Sequence, residues 1–169
     1  MLKQYLTWDD VQQLCYDLYT KLQYQQYDKI IGITRGGAIP GVILSHLMGI
    51  NLYTIGLKTY NGELQSDKVE IYGLDPIFYV NCKNKRILIV DDICDSGQSI
   101  VILKDLFSRC TTIPPQFATL HYKPSACIIP DYYAQETTKY IVYPWEAEEP
   151  KELKYMHGDI REVLQQNVA

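Results

Sequence analysis

The sequence predicts an α/β fold with a mostly parallel sheet flanked by helices. Short runs of β-branched and other apolar residues, which suit buried strands, alternate with segments whose apolar residues recur at helical spacing. The 169 residues, of which 47% are hydrophobic and 21% charged, are enough for one core but too few for two ordinary domains. We therefore expect residues 1–169 to form a single domain.

The predicted elements follow one another in a regular order. Thr7 can cap a first helix, because Asp10 stands three residues later in the position of a capping box. Strands are predicted over residues 30–33, 52–57, 87–90 and 117–120, and helices after residue 37, over 99–107 and over 159–166. Residues 58–85 show no sustained periodicity, which predicts a functional loop with a short hairpin around residues 69–72.

Composition argues against several classes of protein. The net charge of −4 argues against a nucleic-acid binder that works by neutralising phosphates. The five cysteines form no CxxC pair, and neither an HExxH motif nor the glycine patterns of P-loop and dinucleotide-binding proteins occur. The first residues do not resemble a signal peptide, and no apolar run is long enough to span a bilayer. We expect a reduced, cytoplasmic protein that binds neither membrane nor nucleic acid.

The segment after the strongest predicted strand carries the chemistry. Asp91 and Asp92 close that strand, and Ser96, Gly97 and Ser99 follow at the start of a helix. A helix N-terminus offers unpaired N–H groups and a positive dipole to a phosphate, and glycine lets the backbone approach closely. The carboxylates can bind a sugar diol or magnesium. Two adjacent aspartates alone are more often a solvated turn, but the whole run indicates a ligand with both a ribose and a phosphate.

Residues 87–99 resemble the signature with which type I phosphoribosyltransferases bind 5-phosphoribosyl-1-pyrophosphate (PRPP). That signature has four apolar residues, two acids, two variable positions and then Asp-Thr/Ser-Gly-x-Thr/Ser, and every position matches. The resemblance implies the family's fold, with a small hood region beside the sheet, and a reaction that uses Mg²⁺. It also implies that Asp95 lies beside the purine as a candidate general base. Within this run, the PRPP-binding residues that it implies are Asp91, Asp92, Asp95, Ser96, Gly97, Gln98 and Ser99.

Two other segments resemble parts of the family's PRPP site. In the family, a basic residue and two glycines after the first strand bind pyrophosphate, and Arg35, Gly36 and Gly37 match that pattern. Arginine donates two parallel hydrogen bonds, and glycines expose backbone N–H groups. By itself, the same tripeptide is more often an ordinary turn. Thr59 and Tyr60 resemble the pair that begins the family's mobile lid over PRPP.

Two stretches resemble the purine branch of the family. Lys123 resembles the lysine that contacts the 6-oxygen of the purine, although a lone lysine after a strand is ordinarily solvent-exposed. Residues 140–146 resemble a segment of the xanthine and guanine enzymes, and without that resemblance they indicate only a half-buried strand. By this resemblance Tyr140 stacks on the base, and the backbone of Ile141 contacts it. Glu146 faces the exocyclic edge or a second magnesium, so that Asp92 and Glu146 are the expected metal ligands.

The resemblance as a whole implies a purine salvage enzyme. Such an enzyme transfers phosphoribosyl from PRPP to guanine, xanthine or hypoxanthine and releases pyrophosphate and the nucleoside monophosphate. Lysine only donates hydrogen bonds, so Lys123 should favour a 6-oxopurine over adenine. Some proteins of this fold are instead PRPP-sensing regulators that bind nucleic acid and catalyse little, and this is the alternative function. The family usually forms dimers or tetramers, and we expect a homodimer or homotetramer here.

Overall fold

The computed structural model describes residues 2–60, 68–73, 78 and 81–146 of the chain. The strands are β1 (Lys3–Tyr5), β2 (Lys29–Thr34), β3 (Leu52–Tyr60), β4 (Lys68–Tyr72), β5 (Ile87–Cys94), β6 (Gln116–Tyr122), β7 (Tyr132–Glu136) and β8 (Tyr140–Val142). The helices are α1 (Trp8–Leu22), α2 (Ala38–Met48) and α3 (Gln98–Ser108).

Six strands form the main sheet in the order β4-β3-β2-β5-β6-β7. Every neighbouring pair is parallel except β3 and β4, which are antiparallel. Helix α2 connects β2 to β3, and α3 connects β5 to β6, as parallel neighbours require. The carboxyl ends of β2, β5 and β6 therefore lie side by side at one edge of the sheet. The candidate residues at 35–37, at 91–99 and at 123 all lie at these ends.

Helices cover both faces of the main sheet. On one face, α1 and α2 bury Leu18 and Leu44 in the same cluster as Val90 of β5. On the other face, α3 buries Leu103 in the same cluster as Ile89. Successive residues of a strand point to opposite faces, so a strand that is covered twice needs an unbroken apolar run. This requirement explains residues 87–90, whose side chains are at most 1% exposed.

The helix boundaries follow from local chemistry. The Oγ1 of Thr7 accepts a hydrogen bond from the backbone N of Asp10 at 3.2 Å, and an Asp10 carboxylate oxygen accepts one from the backbone N of Thr7 at 2.8 Å. The predicted capping box is therefore present. Helix α2 holds Pro40 in its first turn, and Gly49 ends it in the left-handed conformation, with φ of 66°.

The hood region is a second, two-stranded parallel sheet formed by β1 and β8. Just after β8, the ring of Tyr143 stacks on Trp145, with 4.6 Å between centroids and 8° between planes. Trp145 also contacts Trp8 of α1, with 5.9 Å between centroids. Because Tyr143 is only 1% exposed, these aromatic contacts anchor the hood to the core.

The predicted fold class is confirmed, and several elements differ from prediction in length or number. Strand β5 continues through Asp91 and Asp92 to Cys94, because its pairing with β6 does not stop at residue 90. Residues 69–72, where a short hairpin was predicted, instead belong to a single strand, β4, which pairs with β3 in the antiparallel sense. The sequence did not predict β1, which has only three residues, or β7. The helix predicted over residues 159–166 lies outside the described residues, and so do residues 61–67, 74–77, 79 and 80 of the long loop.

None of the helices in the described part of the chain is both long enough and apolar enough to cross a membrane.

Candidate active site

The loop between β2 and α2 lies against β5, and its two glycines allow that contact. A Cβ on Gly37 would lie 2.5 Å from the carbonyl oxygen of Val90, closer than real Cβ atoms approach such an oxygen. A Cβ on Gly36 would collide with the carboxylate of Asp92. The glycines thus bring Arg35 and the loop backbone directly beside the acidic end of β5.

The two aspartates of β5 are held by short backbone hydrogen bonds. The Oδ1 of Asp91 accepts a hydrogen bond from the backbone N of Asp92 at 3.0 Å, and the Oδ1 of Asp92 accepts one from the backbone N of Ile93 at 2.8 Å. Burial raises the pKa of both carboxyls, the charge of Asp92 adds to the rise at Asp91, and the charge of Glu146 adds to the rise at Asp92. Both acids therefore lie where a bound cation or hydroxyl donor would be stabilising.

The turn from β5 into α3 has the features of an anion site. Gly97 has φ of 82°, which favours glycine, and a Cβ there would come within 2.8 Å of the Ile128 side chain. Helix α3 has no side-chain cap and no acidic residue in its first turn, where Gln98 is exposed. The backbone N of Gln98 donates to the Ser96 hydroxyl oxygen at 3.3 Å, and the other N–H groups of the first turn can face a phosphate. A small pocket of about 100 Å³ is lined by the predicted residues Asp91, Asp95, Ser96, Gly97 and Ser99.

A larger open cleft, about 1210 Å³ in volume, separates the β2–α2 loop and β5 from the hood. The predicted residues that line it are Arg35, Gly36, Asp92, Tyr140 and Glu146. They come from three segments that are far apart in sequence. The cleft thus joins the expected pyrophosphate, ribose and base contacts in one space.

Other residues of the cleft were not predicted to belong to the site. They are Lys3, Tyr5, Ile39, Val142 and Trp145. Lys3 and Tyr5 belong to β1, and the Nζ of Lys3 lies 5.8 Å from the centroid of the Tyr140 ring. Only the pairing of β1 with β8 brings them to the cleft, so no local pattern in the sequence could have indicated them. Trp145, in contrast, lies in the Pro-Trp-Glu segment that the sequence did single out.

The hood presents one ring and one backbone edge toward solvent. Tyr140 is 48% exposed, whereas the side chain of Ile141 is buried. The N–H of Tyr140 donates to Leu2 O at 3.0 Å, and Val142 O accepts a hydrogen bond from Leu6 N at the same distance. The N–H and C=O groups of successive strand residues point to opposite sides, so those of Ile141 point away from β1. This orientation is compatible with the expected backbone contact to a base.

Lys123 is buried, not solvent-exposed. Its side chain is 8% exposed, and its Nζ donates to Oδ2 of Asp95 at 2.8 Å, while Asp95 itself is 61% exposed. The backbone N of Lys123 also donates to Cys94 O at 3.0 Å, which continues the pairing of β5 with the residue after β6. Lys123 is therefore not an ordinary surface lysine, and it forms one structural unit with Asp95.

Glu146 is connected to Asp92 through Tyr143. The backbone N of Tyr143 donates to Oε2 of Glu146 at 3.2 Å, and the Tyr143 hydroxyl donates to the carbonyl oxygen of Asp92 at 2.8 Å. His121 in turn lies behind Tyr143, with 2.8 Å between Nδ1 and the hydroxyl oxygen. Sequence reasoning gave no role to either Tyr143 or His121.

The acidic residues of the cleft fit magnesium that is bound together with a substrate. Asp92 and Glu146 line the same cleft, and the charge of Glu146 contributes to the raised pKa of Asp92. Mg²⁺ commonly takes one or two carboxylates and completes its shell with substrate phosphates and water. Within the described ranges, no group of three or more His, Cys, Asp or Glu side chains could hold a metal by itself.

The expected lid is only partly described. Thr59 and Tyr60 are the last residues of β3, and their backbones pair with Val69 and Lys68 of β4. Their side chains, and residues 61–67 between the strands, lie outside the described part of the chain. The role of Thr59 and Tyr60 in a lid remains a prediction.

Comparison with known proteins agrees with this arrangement. A family model described as "Phosphoribosyl transferase domain" matches residues 1–151. The xanthine-guanine phosphoribosyltransferase of Cereibacter sphaeroides is 31% identical over 150 residues, which cover 84% of this chain and 86% of the relative. The xanthine-guanine phosphoribosyltransferase of Desulfotalea psychrophila is 28% identical over 148 residues, which cover 85% and 86%.

A solved structure extends the comparison to three dimensions. The crystal structure of a purine phosphoribosyltransferase from Pyrococcus horikoshii matches with a TM-score of 0.76 and 38% identity, over 89% of this chain and 97% of that one. The predicted resemblance is thus confirmed. These relatives are purine enzymes, and the chain belongs to the phosphoribosyltransferase family.

Proposed function

We propose that this enzyme transfers the 5-phosphoribosyl group of PRPP to a 6-oxopurine and releases pyrophosphate and the nucleoside monophosphate. One observation carries the proposal: three segments distant in sequence line one cleft, and each suits a different part of the substrates. Arg35 suits pyrophosphate, Asp92 suits the ribose or its metal, and the exposed ring of Tyr140 suits a purine. The names of the relatives support guanine and xanthine as acceptors.

The sugar phosphate fits the turn before α3. The helix N-terminus supplies N–H donors, and the hydroxyls of Ser96 and Ser99 can add to them. Asp91 and Asp92, at the end of β5, accept hydrogen bonds from the ribose hydroxyls. Asp92 and Glu146 would hold magnesium, whose charge would offset negative charge on the leaving group.

The reaction requires no covalent bond between the substrates and the protein. A purine nitrogen attacks C1′ of PRPP, and the C1′–O bond breaks with its electron pair leaving on pyrophosphate. Positive charge develops at the sugar, where the carboxylates of Asp91 and Asp92 stabilise it, and Arg35 stabilises the departing diphosphate. Asp95 is largely exposed beside the small pocket, and it is the group that we assign to receive a proton from the base.

The proposal extends to the cellular compartment and the oligomeric state of the enzyme. All five cysteines are free, which suits a reducing compartment such as the cytoplasm. The chain length supports a single domain over residues 1–169, and the family resemblance supports a homodimer or homotetramer. Sedimentation of the purified chain would test the oligomer.

Direct assay tests the function. The protein is incubated with PRPP and MgCl₂ and separately with guanine, xanthine, hypoxanthine and adenine, and nucleotides are separated by chromatography. We expect the monophosphates of the 6-oxopurines and little AMP. Asp92→Asn should weaken the use of PRPP at limiting concentration while the fold persists. Formation of no nucleotide, together with PRPP-dependent binding of nucleic acid, would instead support the regulator.

A further inference from the structure

A buried chain of hydrogen bonds connects the hood to β5. His121 and Tyr143 are 0% and 1% exposed. The hydroxyl proton of Tyr143 is directed to the carbonyl oxygen of Asp92, so the hydroxyl oxygen must accept from His121. His121 is therefore protonated at Nδ1. Its Nε2 is buried and has no hydrogen-bond partner within the described residues, so this nitrogen stays unprotonated.

Tyr143 contacts both of the acids that we assign to the metal. Its side chain bonds to the backbone of Asp92, and its backbone N donates to the carboxylate of Glu146 at 3.2 Å. The turn closes further, because the backbone N of Glu146 donates to Tyr143 O at 3.0 Å. One residue thus links the end of β5 to the turn after β8.

The packing around Tyr143 leaves its ring one orientation. Trp145 stacks on it at 4.6 Å, and the edge of His121 meets it with 5.7 Å between centroids. Burial lowers the pKa of His121 to about 4, so the ring stays neutral at the pH of the cytoplasm and keeps its donor on Nδ1. A rigid link of this kind can preserve the separation between two groups more precisely than a surface loop can.

We propose that His121 and Tyr143 are positioning residues that hold Asp92 and Glu146 at a fixed separation across the cleft and so set the affinity for magnesium with PRPP. The inference rests on the proposed function, because it places both acids in that site. Neither His121 nor Tyr143 lines the cleft, and both therefore act through the acids.

Tyr143→Phe removes only the hydroxyl and keeps the stacked ring. We expect the apparent dissociation constant for magnesium and the KM for PRPP to rise about 3- to 10-fold, the range that corresponds to the loss of one hydrogen bond. The kcat at saturating substrate should stay within about twofold of the wild-type value. Tyr27→Phe is the matched control, because the Tyr27 hydroxyl donates to Gln116 at 2.7 Å at the opposite edge of the sheet. It should lower the melting temperature and leave both constants unchanged.

Two variants of His121 test the second link. His121→Asn retains a donor near the position of Nδ1, whereas His121→Phe retains only the packing. We expect His121→Phe to raise the apparent dissociation constant for magnesium about as much as Tyr143→Phe does. The double variant should raise it little further, because both residues belong to one chain of hydrogen bonds. In His121→Asn the constant should return part of the way to the wild-type value.

Two readouts do not depend on catalysis. Calorimetry of PRPP binding in MgCl₂ should show the same weakening, even if none of the tested bases is turned over. Nitrogen NMR of the wild-type protein at neutral pH should show His121 protonated at Nδ1 only. The proposal would be overturned if a folded Tyr143→Phe variant kept the wild-type dissociation constant for magnesium and the wild-type KM for PRPP. It would also be overturned if His121 were protonated at Nε2. If Tyr143→Phe does not fold, the His121 variants and the NMR spectrum decide it alone.

Discussion

The ion pair of Lys123 and Asp95 shows how a lysine can be buried in the site that we propose for an uncharged base. A buried ammonium without a partner is costly, and the Asp95 carboxylate at 2.8 Å offsets part of that cost. Lysine has three N–H donors, and the ion pair uses one of them. A second can donate to the 6-oxygen of a purine while the ion pair stays intact, so Asp95 would hold Lys123 in place in addition to its proposed role as proton acceptor.

Replacement of Lys123 by Met keeps the aliphatic stem and removes the donors. We expect kcat/KM for hypoxanthine to fall about 10- to 100-fold, since a hydrogen bond from a charged group contributes roughly 1.5–3 kcal/mol. Discrimination against adenine should narrow, because its amino group no longer faces a donor. The measurement is steady-state kinetics with each base.

Lys29→Met is the control for this experiment. Lys29 is half-buried at the amino end of β2, and its Nζ donates to the Tyr53 hydroxyl at 3.3 Å. This variant should keep the base preference of the wild type. Efficient AMP formation by the unmodified enzyme would contradict the role of Lys123, though not the PRPP site.

Among the elements, the β2–α2 loop depends on close backbone contact with β5. Gly37→Ala would place a methyl group 2.5 Å from Val90 O, and the loop must move away from β5. We expect the KM for PRPP to rise about tenfold or more, because a shift of about 1 Å in a positioned group can cost 10²-fold in rate. Kinetics at limiting PRPP, with the melting temperature, would measure both effects.

Gly49→Ala provides the matched control at the other end of α2. A Cβ there meets no atom within 4 Å, but its φ of 66° is strained for alanine by roughly 1–2 kcal/mol. This variant should lose stability and keep the wild-type KM for PRPP. An unchanged KM in Gly37→Ala as well would show that the loop does not bind the substrate.

For the whole molecule, buried titratable groups couple stability to pH in opposite directions. His121 has its pKa lowered by burial, so the unfolded chain binds more protons at mildly acidic pH and stability falls there. Asp91 and Asp92 have raised pKa values, so the folded state takes up protons before the unfolded chain does, and acidification favours it. The net profile is the sum of these effects.

Comparison with His121→Phe isolates the histidine. The contribution of His121 is complete above its ordinary pKa of 6.5 and is lost as the pH falls toward about 4. By pH 4.5 the wild type should lose about 2–3 kcal/mol more unfolding free energy than the variant. Urea titrations between pH 7 and 4.5 measure this difference, in which Asp91 and Asp92 largely cancel. Parallel pH profiles would show that His121 is not neutral in the fold.

The fold class and the turn that we propose for the phosphate could be predicted from the sequence alone. The apolar run at 87–90 is unbroken because helices cover both faces of the sheet, and the turn that follows it is contiguous in the chain. Asp91, Gly97 and Ser99 could therefore be recognised as one local unit, as could Arg35 with its glycines. Local patterns of this kind involve only residues that are neighbours in sequence, so they are visible in the sequence itself.

The distant residues that complete the proposed site could be identified only from the folded molecule. Lys123 meets Asp95 across 28 positions of sequence, and Tyr143 meets Asp92 across 51. Neither contact has a local signal, because both depend on the order of β5 and β6 in the sheet and on the return of the chain through β8. The burial that makes Lys123 and His121 unusual arises only when these strands assemble, since exposure is a property of the packed molecule.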